Sequence, residues 1–512
     1  MGEGIGRVFF LKDEVGFQPL SNHQGLVVKL LESWREGDEP LALSPKTKER
    51  LLLAARYHDD GKRFTFHIVP DGKGGLTYSF RGHRFRVAQA VQDPYAQALI
   101  RGHHDYSTRE VVNLAADFLE EGLGHRFPED LFLLMMADQL EAELAVRLWQ
   151  RRAGEVRPFV EFDLLPDGEG GFLLDPWPFR VDEVALDFLV YFHPYRGEEA
   201  KVVEGWGRAL VGALEEGKVP EAFREEKRRV RLRPWAAAAR KADDPEAFYA
   251  RFGLKPTPFQ REVFKVAEGD PAHLLLAPTG TGKTEAAAFP ALARGERLVF
   301  VLPTRSLVDD LEGRLRRYLK ILAQEEGRPK ALVVDTGHRQ ARFRFSPDGQ
   351  EEATKERHLY HADVILTTLD KLLYRYFGYA EGVKSYTFPR RIHDRRTLFV
   401  FDEVHLYEAT AWVNFRHLIA SLYKAGVRFL VMSATMPGTY REELLLEGTL
   451  EHPAAKRPSR VLRYMPQGNP MEIIQSHRGK RVLVVLEEVK EAAELSQRRK
   501  GEGALLYHGR LA

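Results

Sequence analysis

Between residues 22 and 150 apolar side chains recur at spacings of three and four, in HQGLVVKLLESWREG, TKERLLLAARYHDDGK, FRVAQAVQDPYAQALIRG, TREVVNLAADFLEEG and PEDLFLLMMADQLEAELAVRLWQRR. That period marks helices with one buried face, so the region reads as mostly helical. One interruption, FTFHIVPDGKGGLTYSFRG, predicts a hairpin around a Gly-rich turn. Residues 151–200 change character, with strand-like runs flanking a D-G-E-G-G turn, and read as a small adjunct. Residues 201–250 predict helices and a basic, proline-marked linker. From about Phe252 six short apolar runs, HLLLAP, RLVFVLP, ALVVDTG, DVILTT, TLFVFDE and RFLVMSAT, alternate with amphipathic helices. Runs of that length and spacing argue for a parallel sheet covered by helices on both faces. Residues 439–480 form a connection rich in Glu, Arg and Pro. From Arg481, RVLVVLEE, VKEAAELSQRRK and ALLYHG open a second α/β unit as strand, helix and strand.

Composition narrows the class without naming a partner. A chain of 512 residues is too long for one core and suggests about three or four domains. It is 44% apolar and 29% charged, as ordinary globular proteins are. No run approaches the roughly 20 apolar residues of a membrane span, and MGEGIGRVFFLKDE lacks the pattern of a secretory signal. A cytoplasmic location without a membrane partner is therefore expected. With no cysteine, disulfides, thiolate metal sites and cysteine nucleophiles are excluded. A formal charge of +2 neither demands nor forbids nucleic acid. Locally, Glu225 to Lys241 packs seven Lys or Arg around a Trp, either as a contact for nucleic acid or as a solvated helix–linker surface.

The sharpest chemical signal is HLLLAPTGTGKTEAAAF. A buried strand runs into a turn carrying Thr279, Gly280, Thr281 and Gly282, then into Lys283 and Thr284 at a helix start. Successive backbone N–H groups can cradle phosphates there, Lys283 can reach the β- and γ-phosphates, and Thr284 can ligate Mg²⁺. Ala277 stands where the general pattern has its first glycine. The second half of such a site is TLFVFDEVH, offering Asp402 for Mg²⁺ and Glu403 to polarise the attacking water. ATP with Mg²⁺ is the expected cofactor.

The helical half has its own chemistry. His58–Asp59 and His103–His104 are adjacent pairs, His23 lies on the first helix, His83 precedes another, and Asp138 interrupts the apolar LLMMADQL. Imidazole and carboxylate together suit divalent metals, and a lone carboxylate in an apolar helix needs a partner.

In order, the C-terminal motifs resemble the superfamily 2 helicases. FGLKPTPFQ is similar to the adenine-reading segment, with Gln260 in the key place. By that resemblance PTRSLVDD and TTLDKLL hold the nucleic-acid backbone through Thr304, Arg305, Thr367 and Thr368, while His405 and SAT, with Ser433 and Thr435, couple hydrolysis to strand movement. The histidine pattern resembles the HD phosphohydrolase domain. The resemblance implies that Asp59 bridges two ions (Mn, Fe, Ni, Co or Mg), with His23, His58 and Asp138 completing one site and His83, His103 and His104 serving the other. Lys62, ending HDDGK, would face the phosphate. His67 rivals His83 as a ligand, because FRGHRFR departs from the family context, and Asp105 stands where the family usually has glycine.

An HD domain joined N-terminally to a helicase looks like the CRISPR-associated nuclease-helicases of type I interference systems. The implied fold is multidomain: an all-α HD phosphohydrolase domain, an α/β RecA-like helicase domain and the beginning of a second RecA-like domain. Its expected bounds are an HD nuclease with a strand-containing adjunct over 1–200, the linker over 201–250, the first RecA-like domain over 251–438, a connection over 439–480 and an incomplete second domain over 481–512. The implied function is metal-dependent single-stranded DNA cleavage coupled to ATP-dependent 3′–5′ unwinding, on the R-loop of an RNA-guided surveillance complex, by a monomer. The later arginine motifs of the second motor domain are absent from this sequence, so the reading expects C-terminal truncation and impaired unwinding. The alternatives are a remodelling or assembly ATPase whose HD module does not cut, and an HD domain that hydrolyses phosphorylated nucleotides.

Overall fold

The computed structural model describes residues 2–36, 39–40, 45–86, 90–104, 108–124, 126–149, 163–175, 179–234, 244–269, 271–354, 362–377, 397–453, 472, 475 and 489–498. The N-terminal half opens with an antiparallel pair, β1 (Ile5–Phe10) and β2 (Glu14–Pro19), which feeds α1 (Leu20–Glu32). Two short strands follow, β3 (Trp34–Glu36) and β4 (Glu39–Pro40), and then α2 (Pro45–Tyr57) and the single turn α3 (Lys62–Thr65). The expected hairpin is β5 (His67–Pro70) with β6 (Leu76–Ser79). Beyond it come a 3-10 turn at His83–Phe85, α4 (Pro94–Gly102), α5 (Thr108–Ala116) and the long α6 (Phe127–Trp149).

The sheet of this half is completed far later in the chain, by β7 (Asp163–Pro166), β8 (Phe172–Asp175), β10 (Val184–Pro194) and β11 (Arg224–Pro234), while β9 (Phe179–Val181) pairs with β3. Its order is β1-β2-β10-β11-β8-β7. Helix α7 (Ala200–Glu215) stands between β10 and β11 in the chain, and α8 (Pro245–Ala250) follows β11. The N-terminal half is therefore not all-α, contrary to expectation. The helical period of residues 22–150 is real, but a six-stranded sheet is assembled from segments on either side of it. The basic stretch also differs from its reading as helix and linker. Residues 224–234 form β11, whose Val230 and Leu232 are buried between outward-facing Arg229 and Arg231. Arg229 pairs with Asp187 on the neighbouring strand at 2.7 Å. That alternation is a period of two, a strand signal. The end of the stretch, residues 235–241, lies outside the described residues. Helix α6 crosses the core: Leu131 to Ala137 are all buried, as expected of a helix apolar all round.

In the C-terminal half every apolar run named above is a strand: β12 (Ala272–Leu276), β13 (Arg297–Leu302), β14 (Lys330–Asp335), β17 (Val364–Thr368), β18 (Thr397–Phe401) and β19 (Arg428–Ser433). With β20 (Gly448–Glu451) they run parallel. The antiparallel strands β15 (Gln340–Phe345) and β16 (Glu351–Thr354) extend the far edge. The order β16-β15-β14-β17-β13-β18-β19-β12-β20 makes a nine-stranded mixed sheet. Strand β20 comes from the stretch expected to be only a connection. One face packs against α9 (Pro258–Val266), α10 (Lys283–Ala293) and α11 (Arg305–Glu326). The other packs against α12 (Leu369–Tyr376) and α13 (Ala409–Lys424). This is a RecA-like α/β fold, in which the carboxyl ends of the parallel strands gather the candidate residues. Of the second α/β unit, only the helix Val489–Arg498 is described in its expected place, and the strands read on either side of it lie outside the described residues.

Candidate metal centre and nucleotide site

The histidines and carboxylates scattered over more than a hundred residues of sequence converge on Asp59, which is 1% exposed. Two sets form around it, His23, His58, Asp59 and Asp138, and Asp59, His83, His103 and His104, each with its ligand atoms within 4.8 Å of one another. The two carboxylate oxygens face different sets. His23 Nε2 is 2.9 Å and His58 Nε2 3.4 Å from Asp59 Oδ2, whereas His83 Nε2 is 2.9 Å and His103 Nε2 3.4 Å from Oδ1. Asp138 Oδ1 lies 3.4 Å from His23 Nε2 and 3.6 Å from His58 Nε2. His104 Nε2 sits 3.1 Å from His83 Nε2.

The outer ring nitrogens determine what the inner ones can do. Nδ1 of His58, His83 and His103 meets the carbonyls of Ala55, Phe80 and Ile100 at 2.7, 2.7 and 2.5 Å. A carbonyl only accepts, so each Nδ1 carries a proton, and in the neutral ring each Nε2 turns a lone pair toward Asp59. Lone pair then faces carboxylate oxygen, which is favourable only with a cation between them. Buried His58 Nε2, His103 Nε2 and Asp59 Oδ1 accordingly have no hydrogen-bond partner. Burial holds the His103 pKa below its ordinary value. Burial opposes ionisation of Asp59 too, but Lys62 and His58 outweigh it and hold the carboxyl well below the usual range. Imidazole nitrogens converging on an ionised carboxylate fit one or two divalent metal ions.

Two rival expectations separate here. His67 is 59% exposed on β5 beside Glu204, while His83 points into the cluster. Asp105 lies outside the described residues. Lys62 contacts Asp59 itself, with Nζ 2.5 Å from Oδ2. The loop between them is shaped by Gly61: a Cβ there would lie 2.0 Å from the His83 carbonyl oxygen. This is backbone against backbone, and no rotamer relieves it. Gly61→Ala is expected to cost roughly 1–3 kcal/mol or more, read as a lowered melting temperature together with weakened metal retention.

One functional residue escaped the sequence reading. Glu141, fully buried one turn beyond Asp138 on α6, accepts from His23 Nδ1 at 2.6 Å, Gln18 Nε2 at 2.7 Å and Arg7 Nη2 at 3.0 Å. Arg7 and Gln18 stand on β1 and β2, so the unforeseen sheet braces the ligand helix. Burial works against the His23 charge, but Glu141 and Asp59 raise its pKa to about 9. The available signal was the i, i+3 spacing of two acids in an apolar helix. Glu141→Gln is expected to weaken metal affinity about 10- to 100-fold, measured by metal titration of the purified protein.

At the other site β12 leads into the Gly-rich turn, where Gly280 and Gly282 take φ of +82° and +77°, values that favour glycine. Lys283 and Thr284 then open α10. Thr281 donates to the Pro278 carbonyl at 2.7 Å, and Thr279 is exposed. Gln260 forms a capping box with Thr257 and donates to the Gly282 carbonyl at 3.1 Å, which ties the expected adenine reader to the phosphate loop. Across β19, strand β18 ends at Asp402 and Glu403. Burial, with Glu403 adding to it, pushes the Asp402 carboxyl up to about 6, as befits an acid awaiting a cation. Lys283 Nζ is 3.5 Å from Glu403 Oε1. Among the described residues Glu403 is the one non-glycine at positive φ, +49°. Such conformations cost about 1–3 kcal/mol and gather at active sites. His405 Nδ1 lies 3.0 Å from Ser433 Oγ and 3.3 Å from Glu403 Oε2, and Ser433 donates to the Thr435 carbonyl, linking the expected coupling residues into one chain.

The expected nucleic-acid contacts are less uniform. Arg305 is exposed at the start of α11, and Thr304 caps that helix through Leu307 N. Thr368 precedes α12 and is half-buried. Thr367 is 2% exposed and gives its hydroxyl to the Asp335 carbonyl at 2.6 Å, which commits that side chain to the fold.

A model of the DEAD/DEAH box helicase family matches residues 257–444, spanning the phosphate loop, Asp402–Glu403 and Ser433–Thr435. The CRISPR-associated helicase Cas3 of Thermoproteus tenax is 27% identical over 264 residues, covering 47% of this chain and 44% of that protein. The CRISPR-associated nuclease/helicase Cas3 of Methanothermobacter thermautotrophicus is 23% identical over 419 residues, 75% of this chain and 45% of its own length. Residues 257–444 match the helicase family model, and the chain is similar to these Cas3 proteins. A crystal structure of T. fusca Cas3 covers 84% of this Cas3-like chain and 50% of its own, at 16% identity and a TM-score of 0.41. The chain thus spans a little under half the length of the two relatives, 44% and 45%.

Proposed function

We propose that the N-terminal half is a divalent-metal-dependent nuclease for single-stranded DNA, coupled to the ATP-dependent 3′–5′ DNA helicase that the C-terminal half belongs to. It would act in type I CRISPR interference, on the R-loop of an RNA-guided surveillance complex. The observation that carries the nuclease reading is the pair of ligand sets sharing buried Asp59, with histidine lone pairs fixed inward by their Nδ1 bonds. His23, His58 and Asp138 would hold one ion and His83, His103 and His104 the other, with Asp59 common to both. Divalent ions at such a site supply Lewis acidity and a water deprotonated near neutral pH. The chain's own part is to orient the histidines through their Nδ1 bonds and to set the Lys62 ammonium beside Asp59, where it can neutralise a phosphate. In the helicase half Lys283 would reach the β- and γ-phosphates, Thr284 and Asp402 would hold Mg²⁺, and Glu403 would orient the attacking water.

The test is an ATP-free assay on short single-stranded DNA with Mn²⁺, Ni²⁺ or Mg²⁺, combined with metal analysis, on wild type and Asp59→Ala. Full cleavage by the metal-free variant would remove the proposed centre. Mononucleotides added as competitors separate DNA from small phosphorylated nucleotides as the substrate.

A further inference from the structure

Among the described residues the two most exposed large apolar side chains are Phe85 and Phe64, at 66% and 65%. Each stands two positions after a residue that touches Asp59: Phe85 after His83, and Phe64 after Lys62. Their elements are neighbours, because Gly61, immediately before α3, lies directly against the His83 carbonyl. Burying one of these rings would be worth about 1.5–3 kcal/mol to the fold, so two left in water beside one buried centre need a reason.

The charges around them point to the ligand. Arg81 and Arg86 flank the 3-10 turn and are exposed, and Arg84 stacks on Phe85, its guanidinium carbon 4.7 Å from the ring centroid. Arg84 also donates to the Arg101 carbonyl, which brings the end of α4 and exposed Arg101 to the same rim. Among the described residues no carboxylate pairs with Arg81, Arg86 or Arg101. Arg63, by contrast, is spent on Asp60 at 2.7 Å. Exposed aromatic faces interleaved with arginine suit a single nucleic-acid strand, whose bases stack and whose phosphates need cations. A double helix keeps its bases stacked on one another and has no use for the rings.

We propose that Phe64 and Phe85, with Arg81, Arg84, Arg86 and Arg101, form a base-stacking rim that seats a single strand beside Asp59. The inference rests on the nuclease reading and names the groove through which that centre would receive its substrate. It is tested on the whole chain in EDTA, so that no cleavage occurs, with an oligodeoxynucleotide carrying 5-iodouracil. Irradiation is expected to cross-link the base within residues 62–86, and peptide mapping reads the position. Phe64→Ala and Phe85→Ala are each expected to weaken oligonucleotide binding about fivefold or more, with Phe85→Trp restoring it. Arg81→Gln with Arg86→Gln should flatten the salt dependence of log K by roughly 0.7 for each phosphate that the rim no longer neutralises. Melting temperatures and metal content within error of wild type exclude simple misfolding. Cross-links confined to the helicase half, or unchanged affinity in both Phe variants, would overturn the rim. Cross-links at the rim of a protein that cuts nothing with any metal would instead overturn the nuclease reading alone.

Discussion

Asp59→Ala is expected to lower metal-dependent cleavage of single-stranded DNA by about 10³-fold or more, because a metal centre contributes several kcal/mol to such a reaction. The size of the loss follows from the geometry. Asp59 is the one residue common to both ligand sets, so its removal opens both at once. Excess metal is not expected to rescue the variant, since the set of His83, His103 and His104 would be left without a carboxylate and the other set with Asp138 alone. Asp59 also neutralises Lys62, only 12% exposed, and its loss leaves that ammonium partly buried and unpaired. Truncating one partner of a buried pair typically costs about 3–5 kcal/mol. The variant should therefore melt earlier than wild type as well as lose metal. Asp59→Asn separates the two effects: it keeps the side-chain volume but not the charge, and should lose metal and cleavage while recovering part of the packing. Cleavage by Asp59→Asn at the wild-type rate would show that the charge at the centre is irrelevant.

The second large effect belongs to the other half. Glu403→Gln is expected to leave ATP binding close to wild type and to slow hydrolysis by about 10²–10⁴-fold, the usual contribution of a positioned general base. The amide keeps the side-chain shape at the strained position and can still hydrogen-bond, but it cannot accept the proton of the attacking water. Phosphate release under single-turnover conditions, with nucleotide binding measured separately, reads the two steps apart. A variant that loses binding and hydrolysis together would mean that Glu403 acts through Lys283, 3.5 Å away, and not on the water.

How far the sequence could be read depended on the range of the interactions involved. The parallel strands of the helicase half are buried on both faces, so each one is a continuous apolar run and each was legible. The phosphate loop was equally plain, because its strand, turn and helix are consecutive in the chain. Strands β15 and β16 were not, since half-exposed edge strands carry mixed patterns. The N-terminal sheet was missed for a different reason. Strand β2 is paired to β10, and β10 to β11, so no local window contains both sides of those pairings. In the basic stretch around Arg228 the strand period is carried by Val230 and Leu232 alone, set among charged residues, so its alternation is weak.

The sequence by itself determined the residue types at both sites, the order of the helicase-like motifs and the helical period that carries most of the candidate metal ligands, because these depend on neighbours along the chain. Only the tertiary structure decided that His83 and not His67 reaches Asp59, that Glu141 orients His23, and that a sheet braces the ligand helix. It also decided that Thr367 is spent on an internal hydrogen bond and that Phe64 and Phe85 stand in water beside the centre. Each of these turns on which faces meet when distant segments pack, and on which polar atoms burial leaves without water. Periodicity along a chain says which face is apolar, but not what that face will find opposite it.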